Sequence, residues 1–554
     1  MPLVTQDAFQ RAVDNISSWG DTDVFPFPIE NHVLHDKADE VVGLLTTISA
    51  DLEGELARNP PINHSALAPL GYNGFRWATQ IDPIWNACFL GTVLSMAEQI
   101  EAARIPESQE IIFSHRLRVP APTATKSATS TESATSPAAN ESLFDREGWS
   151  KFQEKSRELA SESEFVVAVD IADFYSRIYH HRLENQLKYL EPSGGRARHI
   201  MQMIGAFSGN VSYGLPVGGP AARILSELLL SQTDRLIQTQ LSHIRFVRYA
   251  DDFRFFAASL EEAYGAVGYL SEKLQRNEGL SLQRHKTRIL TSSEFLSTLR
   301  PEDPRSGSAA KFLSLHLYYD PYSQTAEEDY ERLQSQLDEF DVLGLLRAEL
   351  IKGRVDISLT RRLVGVLKLM DPVSMEQAVI SLLDNLEILT PVVPHVMRAI
   401  RENVAMLSPE AQEIVVGRIR GLIESGDHIA QVDVNLSYMI RVLAQSRSQA
   451  SEELFIKLFP GPHGYAQNPA PNIQRDIILA LSRWEANYWL HDQKQHFTTM
   501  HSWARRAFIV GSFVMGDEGA HWRQAMKNVF TPFERVISGW TADRKQSGTW
   551  EIPL

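Results

Sequence analysis

Apolar residues recur at helical spacing over 8–16, 38–56 and 84–103, which predicts three helices in the first segment of the chain. Gly20 and the prolines and aspartates that follow it, through Pro28, read as a loop between the first two. The run 110–118 leans towards β and ends in basic residues. The pattern then stops: residues 119–141 are almost all Ala, Ser, Thr and Pro, too poor in apolar side chains to bury a core. This stretch reads as a flexible insertion within a domain, with an interdomain linker as the alternative.

From 142 onward the pattern alternates. Phe165-Val166-Val167-Ala168-Val169 has the length and composition of a buried strand and ends in Asp170. Helical sequence follows, then a Gly/Pro-rich stretch over 213–220, then another helix to about 241. Two short strands, 245–250 and 253–256, flank Asp251-Asp252. A helix over 260–278 and a strand over 287–290 complete an α+β pattern. Beyond 320 no strand is expected. Apolar patches at helical period recur at 327–352, 358–370, 374–388, 394–405, 408–424, 432–446, 472–490 and 500–512, parted by breaks such as Asp371-Pro372 and Gly426-Asp427. They read as stacked helical hairpins of a repeat array or as an irregular helical domain.

Composition narrows the picture. The 554 residues are 43% hydrophobic and 22% charged, an ordinary globular balance with room for more than one domain. The single cysteine, Cys88, excludes an intramolecular disulfide and a multi-cysteine zinc site. The first residues lack the basic and apolar regions of a signal peptide, and no apolar run approaches the roughly 20 residues that span a bilayer. The expected compartment is the cytoplasm. The net charge of −15 argues against a protein coated in non-specific nucleic-acid contacts. Residues 161–300, however, hold 16 Lys/Arg against 15 Asp/Glu, so the negative charge lies elsewhere. That near-neutral stretch holds the candidate chemistry.

Alone, Asp251-Asp252 marks no more than a polar hairpin turn. Asp170, leaving the most apolar strand, changes this. If the strands are neighbours, three carboxylates converge. Such a set suits two Mg²⁺ ions, which take hard oxygen ligands, activate an attacking 3′-hydroxyl and stabilise leaving pyrophosphate.

Here a family resemblance emerges. Val169-Asp170-Ile171-Ala172-Asp173-Phe174-Tyr175 resembles motif A of reverse transcriptases. Gly214-Leu215-Pro216-Val217-Gly218-Gly219-Pro220 resembles motif B, Tyr249-Ala250-Asp251-Asp252 the motif C box, and 279–287 motif D. Ala222-Arg223-Ile224-Leu225-Ser226-Glu227, Arg248-Tyr249-Ala250-Asp251-Asp252-Phe253-Arg254 and the N-terminal 20–26 resemble the bacterial abortive-infection and unknown-group enzymes, which defend cells against phage.

The resemblance implies a palm and fingers followed by an all-α, HEAT-like repeat domain. The implied divisions are an N-terminal helical and fingers region (1–118), the insertion (119–141), a palm (142–315) and a helical-repeat domain (316–554). It implies Asp170, Asp251 and Asp252 as metal ligands with the carbonyl of Ile171, and Tyr175 as a steric gate against a 2′-hydroxyl. Read from the residues alone, Tyr175 is a core aromatic. Lys286 is implied as the acid that protonates pyrophosphate; its alternative is one solvated cation among Arg284, Lys286 and Arg288. Arg116 is implied as a triphosphate grip, since the Arg fork matches phosphate; its alternative is a surface strand position. Gly214, Pro216 and Gly218 would line the substrate. Val217 stands where many relatives have Gln, which puts ordinary templated copying in question.

The implied partners are dNTPs, an RNA or DNA product, a second copy of the chain, and an associated non-coding RNA or protein; no membrane is expected. The implied reaction is Mg²⁺-dependent DNA synthesis, either protein-primed without a template or copied from RNA. A non-catalytic nucleic-acid scaffold is the reading outside catalysis. The C-terminal tryptophans, Trp484, Trp489, Trp503, Trp522 and Trp540, are expected to pack helices.

Overall fold

The computed structural model describes residues 3–299 and 340–554 together with Phe312, leaving out Asp23, Asn73, 119–141, Arg146, Ala466 and Thr549. The expected insertion at 119–141, the 315/316 boundary and the start of the 327–352 helix lie outside the described residues.

The described residues contain six strands, numbered in chain order. β1 (His64–Pro69) and β2 (Phe75–Gln80) form an antiparallel hairpin. β3 (Phe165–Asp170), β4 (Arg245–Tyr249), β5 (Asp252–Ala257) and β6 (Arg288–Thr291) form one antiparallel sheet in the order β4-β5-β3-β6. Period-two alternation splits β3 between two cores. Val166 joins Phe152, Val247, Phe256 and Phe295 beneath the Gly148–Ser161 and Ser292–Leu299 helices. Val167 and Val169 join Phe253, Phe255, Ala263, Ala266 and Leu270 of the larger core.

The elements differ from the sequence expectation at several points. The hairpin β1–β2 lies in a segment expected to be mostly helical. The run 110–118 forms no strand; it contributes single bridges, Ile112 to Arg248 and Leu117 to Phe144. The helices expected over 38–56 and 84–103 are each broken. The first breaks at Asp51, whose side chain caps the N-terminus of the next helix by accepting from the Gly54 amide. The second breaks between Leu94 and Ala97.

Beyond residue 340 the named elements are helices only, among the described residues. Alternate helices pack on one another. The helices Ile357–Gly365, Val393–Asn403, Asp433–Leu443, Pro471–Arg483, Ser502–Gly511 and Pro532–Gln546 follow in one row. Val342–Leu350, Pro372–Asp384, Pro409–Glu424 and Gln449–Leu458 follow in another. The first row covers the N-terminal segment: Asp433–Leu443 packs on β1, and Pro532–Gln546 on Glu30–Asp36 and Ala38–Ala50. Trp484, Trp489, Trp503 and Trp540 are buried among these helices. One continuous apolar core runs from Phe9 through the sheet to Trp540.

Candidate active site

The Asp-Asp pair sits where the register of the sheet puts it. β4 and β5 are joined by a two-residue turn, with Tyr249 opposite Asp252. Ala250 takes the left-handed conformation at φ 52°, which non-glycine residues seldom adopt. On the other side of β5, Asp170 is the direct partner of Asp252. The next amide, Ile171 N–H, donates to the Asp251 carbonyl at 3.2 Å. The ends of β3 and the β4–β5 turn are thus stitched together at the carboxylates.

The segment 281–287 completes this corner. Gln283 N–H donates to the Asp170 carbonyl at 2.7 Å and Ala172 N–H to the Ser281 carbonyl at 2.8 Å. This fold-back brings Lys286 Nζ to 2.9 Å from Asp170 Oδ2. Asp170, Asp252 and Lys286 face a cleft of about 410 Å³ that Arg254 and Arg288 also line. Carboxylates at the floor and three cations around them can hold a metal and the phosphates it accompanies.

The electrostatics carry the mark of crowded acids. Burial, then the neighbouring Asp170, pushes the Asp251 carboxyl up to about 6. Burial pushes Asp252 up to about 6 as well, despite the pull of Arg254. Burial opposes the charge on Lys286, but its hydrogen bond to Asp170 and the two further aspartates outweigh it and raise its pKa. Among the described residues no three acidic, histidine or cysteine side chains are gathered tightly enough to enclose an ion. The donors are nevertheless carboxylate oxygens, the type a hard divalent cation takes. Asp251 and Asp252 both feel the charge of Asp170, and a bound cation relieves that repulsion.

The Gly/Pro-rich loop lies beside this corner. Leu215 N–H donates to the Tyr175 carbonyl and Gly214 N–H to the Ile178 carbonyl, both at 2.8 Å. Gly214 and Gly218 have φ of 92° and 124°, open to glycine and strained for other residues. A Cβ at Gly214 would lie 3.4 Å from the Ser176 carbonyl oxygen. Pro216 is half-buried. The Val217 carbonyl accepts from Thr79 N–H at 3.0 Å, which ties this loop to β2. Tyr175 lies on the short Phe174–Arg177 helix. Burial pushes its hydroxyl up to about 12, although Ser226 hydrogen-bonds it and Arg223 is near.

The structure therefore brings Asp170, Ile171, Asp251, Asp252 and Lys286 to one corner. It sets Tyr175, Gly214, Pro216 and Gly218 beside it. Arg116 is placed elsewhere. Its guanidinium is buried, donating to Glu101 Oε2 at 3.1 Å and to the carbonyls of Ile105 and Ile112 at 2.6 and 3.0 Å. Three of its five N–H donors are engaged in this way, and it lines a different cleft from the carboxylates, so this geometry does not supply the expected triphosphate grip.

Sequence reading missed a buried ionic network behind the turn. Arg248, Glu227, Asp234 and Arg104 are all at most 2% exposed. Burial works to raise Glu227, yet Arg248 and Arg104 hold it down to about 2. A signal was available: two acids seven residues apart on the apolar Pro220–Gln240 helix, and an arginine inside a buried strand.

Two solved structures resemble this chain at 10% identity each. Telomerase from Candida albicans in complex with a TWJ fragment of telomeric RNA aligns over 85% of this chain and 70% of its own, with a TM-score of 0.29. Apo telomerase from Candida tropicalis aligns over 81% and 74%, with a TM-score of 0.32. No curated protein matches the sequence. Residues 122–345 match the family model described as reverse transcriptase (RNA-dependent DNA polymerase), and the chain thus carries a reverse transcriptase domain, with the carboxylate corner inside it.

Proposed function

We propose that this chain is a DNA polymerase of reverse-transcriptase type, joining dNTPs with Mg²⁺ at Asp170, Asp251 and Asp252. One observation carries the reading: the register opposes Asp170 to Asp252 across β3 and β5 in a cleft lined by Lys286, Arg254 and Arg288, and the β4–β5 turn carries Asp251 next to Asp252. Hard divalent metal, when bound by these carboxylates, supplies activation of the 3′-hydroxyl and neutralisation of charge on pyrophosphate.

The chain's own residues do the rest. The 3′-hydroxyl gives up its proton to solvent and attacks the α-phosphorus, the bond from that phosphorus to the oxygen bridging it to the β-phosphorus breaks, and pyrophosphate leaves with that oxygen. Lys286 Nζ, on the rim, can give that oxygen a proton. Arg254 and Arg288 add positive charge near the phosphates. Tyr175, backbone-bonded to the motif B loop, presents its ring as the gate on the sugar. Gly214 and Gly218 allow the backbone to approach the base pair closely. The outer face of the β1–β2 hairpin carries Phe75 and Trp77, 50% and 55% exposed, next to that loop, and suits unpaired bases.

The finer reading is synthesis primed by the protein itself, without a template, in antiphage defence within a bacterial cytoplasm. Support for the defence role is the motif resemblance around 222–227 and 248–254. Val217 in place of Gln favours a relaxed use of template. The two rows of alternately packed helices favour a HEAT-like repeat that holds the product, a partner or a second copy. No helix among the described residues is long and apolar enough to cross a membrane.

Labelled dNTP incorporation with Mg²⁺ tests the reading, with and without RNase, resolved on a denaturing protein gel. Label that stays on the protein after RNase supports protein-primed synthesis. Label in free DNA that RNase abolishes supports copying of an RNA. Incorporation that survives Asp251→Asn in a folded protein overturns the metal assignment.

A further inference from the structure

Arg248 lies next to the last residue of β4 and is fully buried. All three guanidinium nitrogens are engaged. Nε and Nη2 fork onto Asp234 at 2.8 and 2.6 Å. Nη2 also donates to Glu227 Oε2 at 3.0 Å, and Nη1 donates to the Ala250 carbonyl at 2.8 Å. Glu227 is shared, accepting from Ser114 Oγ at 2.5 Å and Arg104 Nη2 at 2.9 Å. The backbone of Arg248 is held too: its N–H donates to the Ile111 carbonyl at 2.8 Å, and its carbonyl accepts from Phe113 N–H at 3.0 Å.

A residue fixed on every side thus reaches one atom of the turn, the carbonyl of Ala250. That carbonyl sets the plane of the Ala250–Asp251 peptide, and so the direction in which Asp251 leaves the turn. Alanine disfavours the left-handed conformation seen here, and without a holding contact the turn has reason to relax. Two cations and two anions in the interior are a poor choice for stability alone, because apolar side chains of similar volume serve as well. Their geometry instead links the helix that follows the motif B loop to the turn that carries the Asp-Asp pair.

We propose that Arg248 is a positioning residue: anchored on Asp234 and Glu227, it holds Ala250 in the left-handed turn so that Asp251 and Asp252 face Asp170 as a metal-binding set. This rests on reading those carboxylates as the metal centre. The clamp touches neither metal nor nucleotide and acts through one backbone carbonyl.

The test uses the full chain and Mn²⁺ alone, its free aquo signal followed by electron paramagnetic resonance. Asp251→Asn identifies the part of the binding that belongs to the carboxylates. Arg248→Lys keeps the charge but loses the fork and the reach to Ala250. It is expected to weaken that binding about 10- to 100-fold, the usual effect of losing a group that orients metal ligands. Glu227→Gln, nearly isosteric, is the second variant and is expected to weaken it in the same direction. Adding Ala250→Gly to Arg248→Lys is expected to recover about fivefold, since glycine carries no left-handed penalty. A role in folding alone lowers the melting temperature but predicts neither the affinity loss in folded protein nor the glycine rescue. Unchanged Mn²⁺ affinity in folded Arg248→Lys and Glu227→Gln overturns the clamp. A parent that binds Mn²⁺ at the carboxylates yet incorporates no dNTP overturns the polymerase reading and leaves the clamp to be judged by its own measurement.

Discussion

Asp251 illustrates how a candidate metal ligand works against its own fold. Its carboxyl titrates at about 6 in the folded chain against an ordinary 3.8, because burial and Asp170 penalise the charge. Between those values the folded state holds the extra proton. The pair's stability contribution is therefore complete below about 3.8 and lost as pH rises through about 6. Asp251→Asn is expected to remove incorporation, yet to stabilise the metal-free protein by about 1 kcal/mol at neutral pH, a figure discounted for partial solvent screening. Chemical denaturation with and without the substitution reads both sign and size. The same protons compete with a divalent cation, so half-saturating Mn²⁺ should rise as pH falls below about 6. At Tyr175, Ala is expected to raise the use of rNTPs relative to dNTPs at least about tenfold in kcat/KM, and Phe to leave the ratio unchanged, because the ring is the barrier. The acids were legible because Asp170 closes an apolar strand and Asp251-Asp252 parts two others, whereas Lys286 was legible only through the resemblance of its segment to motif D. Arg116 is the ambiguous case, because a guanidinium serves buried carbonyls as readily as phosphate, and one sequence does not separate the two.

Elements were legible where the apolar period was long and lost where it was faint. β3 could be read from its run of valines. The β1–β2 hairpin could not, since its inward positions include Ala66, Ala68 and Ala78, small residues with little strand preference. Their smallness suits a hairpin pressed against Val432 and Val434 of the C-terminal helices. Its outward face then pairs Leu67 with Trp77 and Pro69 with Phe75. Exposed aromatics on a hairpin bonded to the motif B loop contribute little to the fold. Trp77→Ala is accordingly expected to leave the melting temperature nearly unchanged and to weaken single-stranded oligonucleotide binding by about 1–3 kcal/mol, the usual worth of one base stacked on one ring. Fluorescence anisotropy with a labelled oligonucleotide measures it, and unchanged binding removes the hairpin from the nucleic-acid path. The Arg248 network shows the other limit of sequence reading: each member was visible, but a contact between a helix and a strand end has no local period.

At the scale of the molecule, the helical array is joined to the N-terminal segment through buried charge as well as apolar surface. Asp82 caps the Pro83–Leu94 helix and is 1% exposed. Its carboxylate accepts from Arg506 Nη1 at 2.9 Å, and from Ser502 Oγ and Trp503 Nε1 at 3.3 Å each. The helix it caps packs on Pro220–Gln240, which carries Glu227 and Asp234. A disturbance at residue 506 thus has a short packed route to the turn at 250. The two regions are expected to unfold together, giving one denaturation transition rather than two. Arg506→Ala leaves Asp82 and Glu30 buried without their cation and is expected to cost about 3–5 kcal/mol. The companion variant decides the cause. Arg506→Met with Asp82→Asn and Glu30→Gln removes all three charges and keeps most of the volume, so it should recover the greater part of that loss. If the triple variant stays as unstable as Arg506→Ala, the junction depends on packing around residue 506 rather than on balanced charge, and the coupling between array and turn must be sought in the apolar core they share.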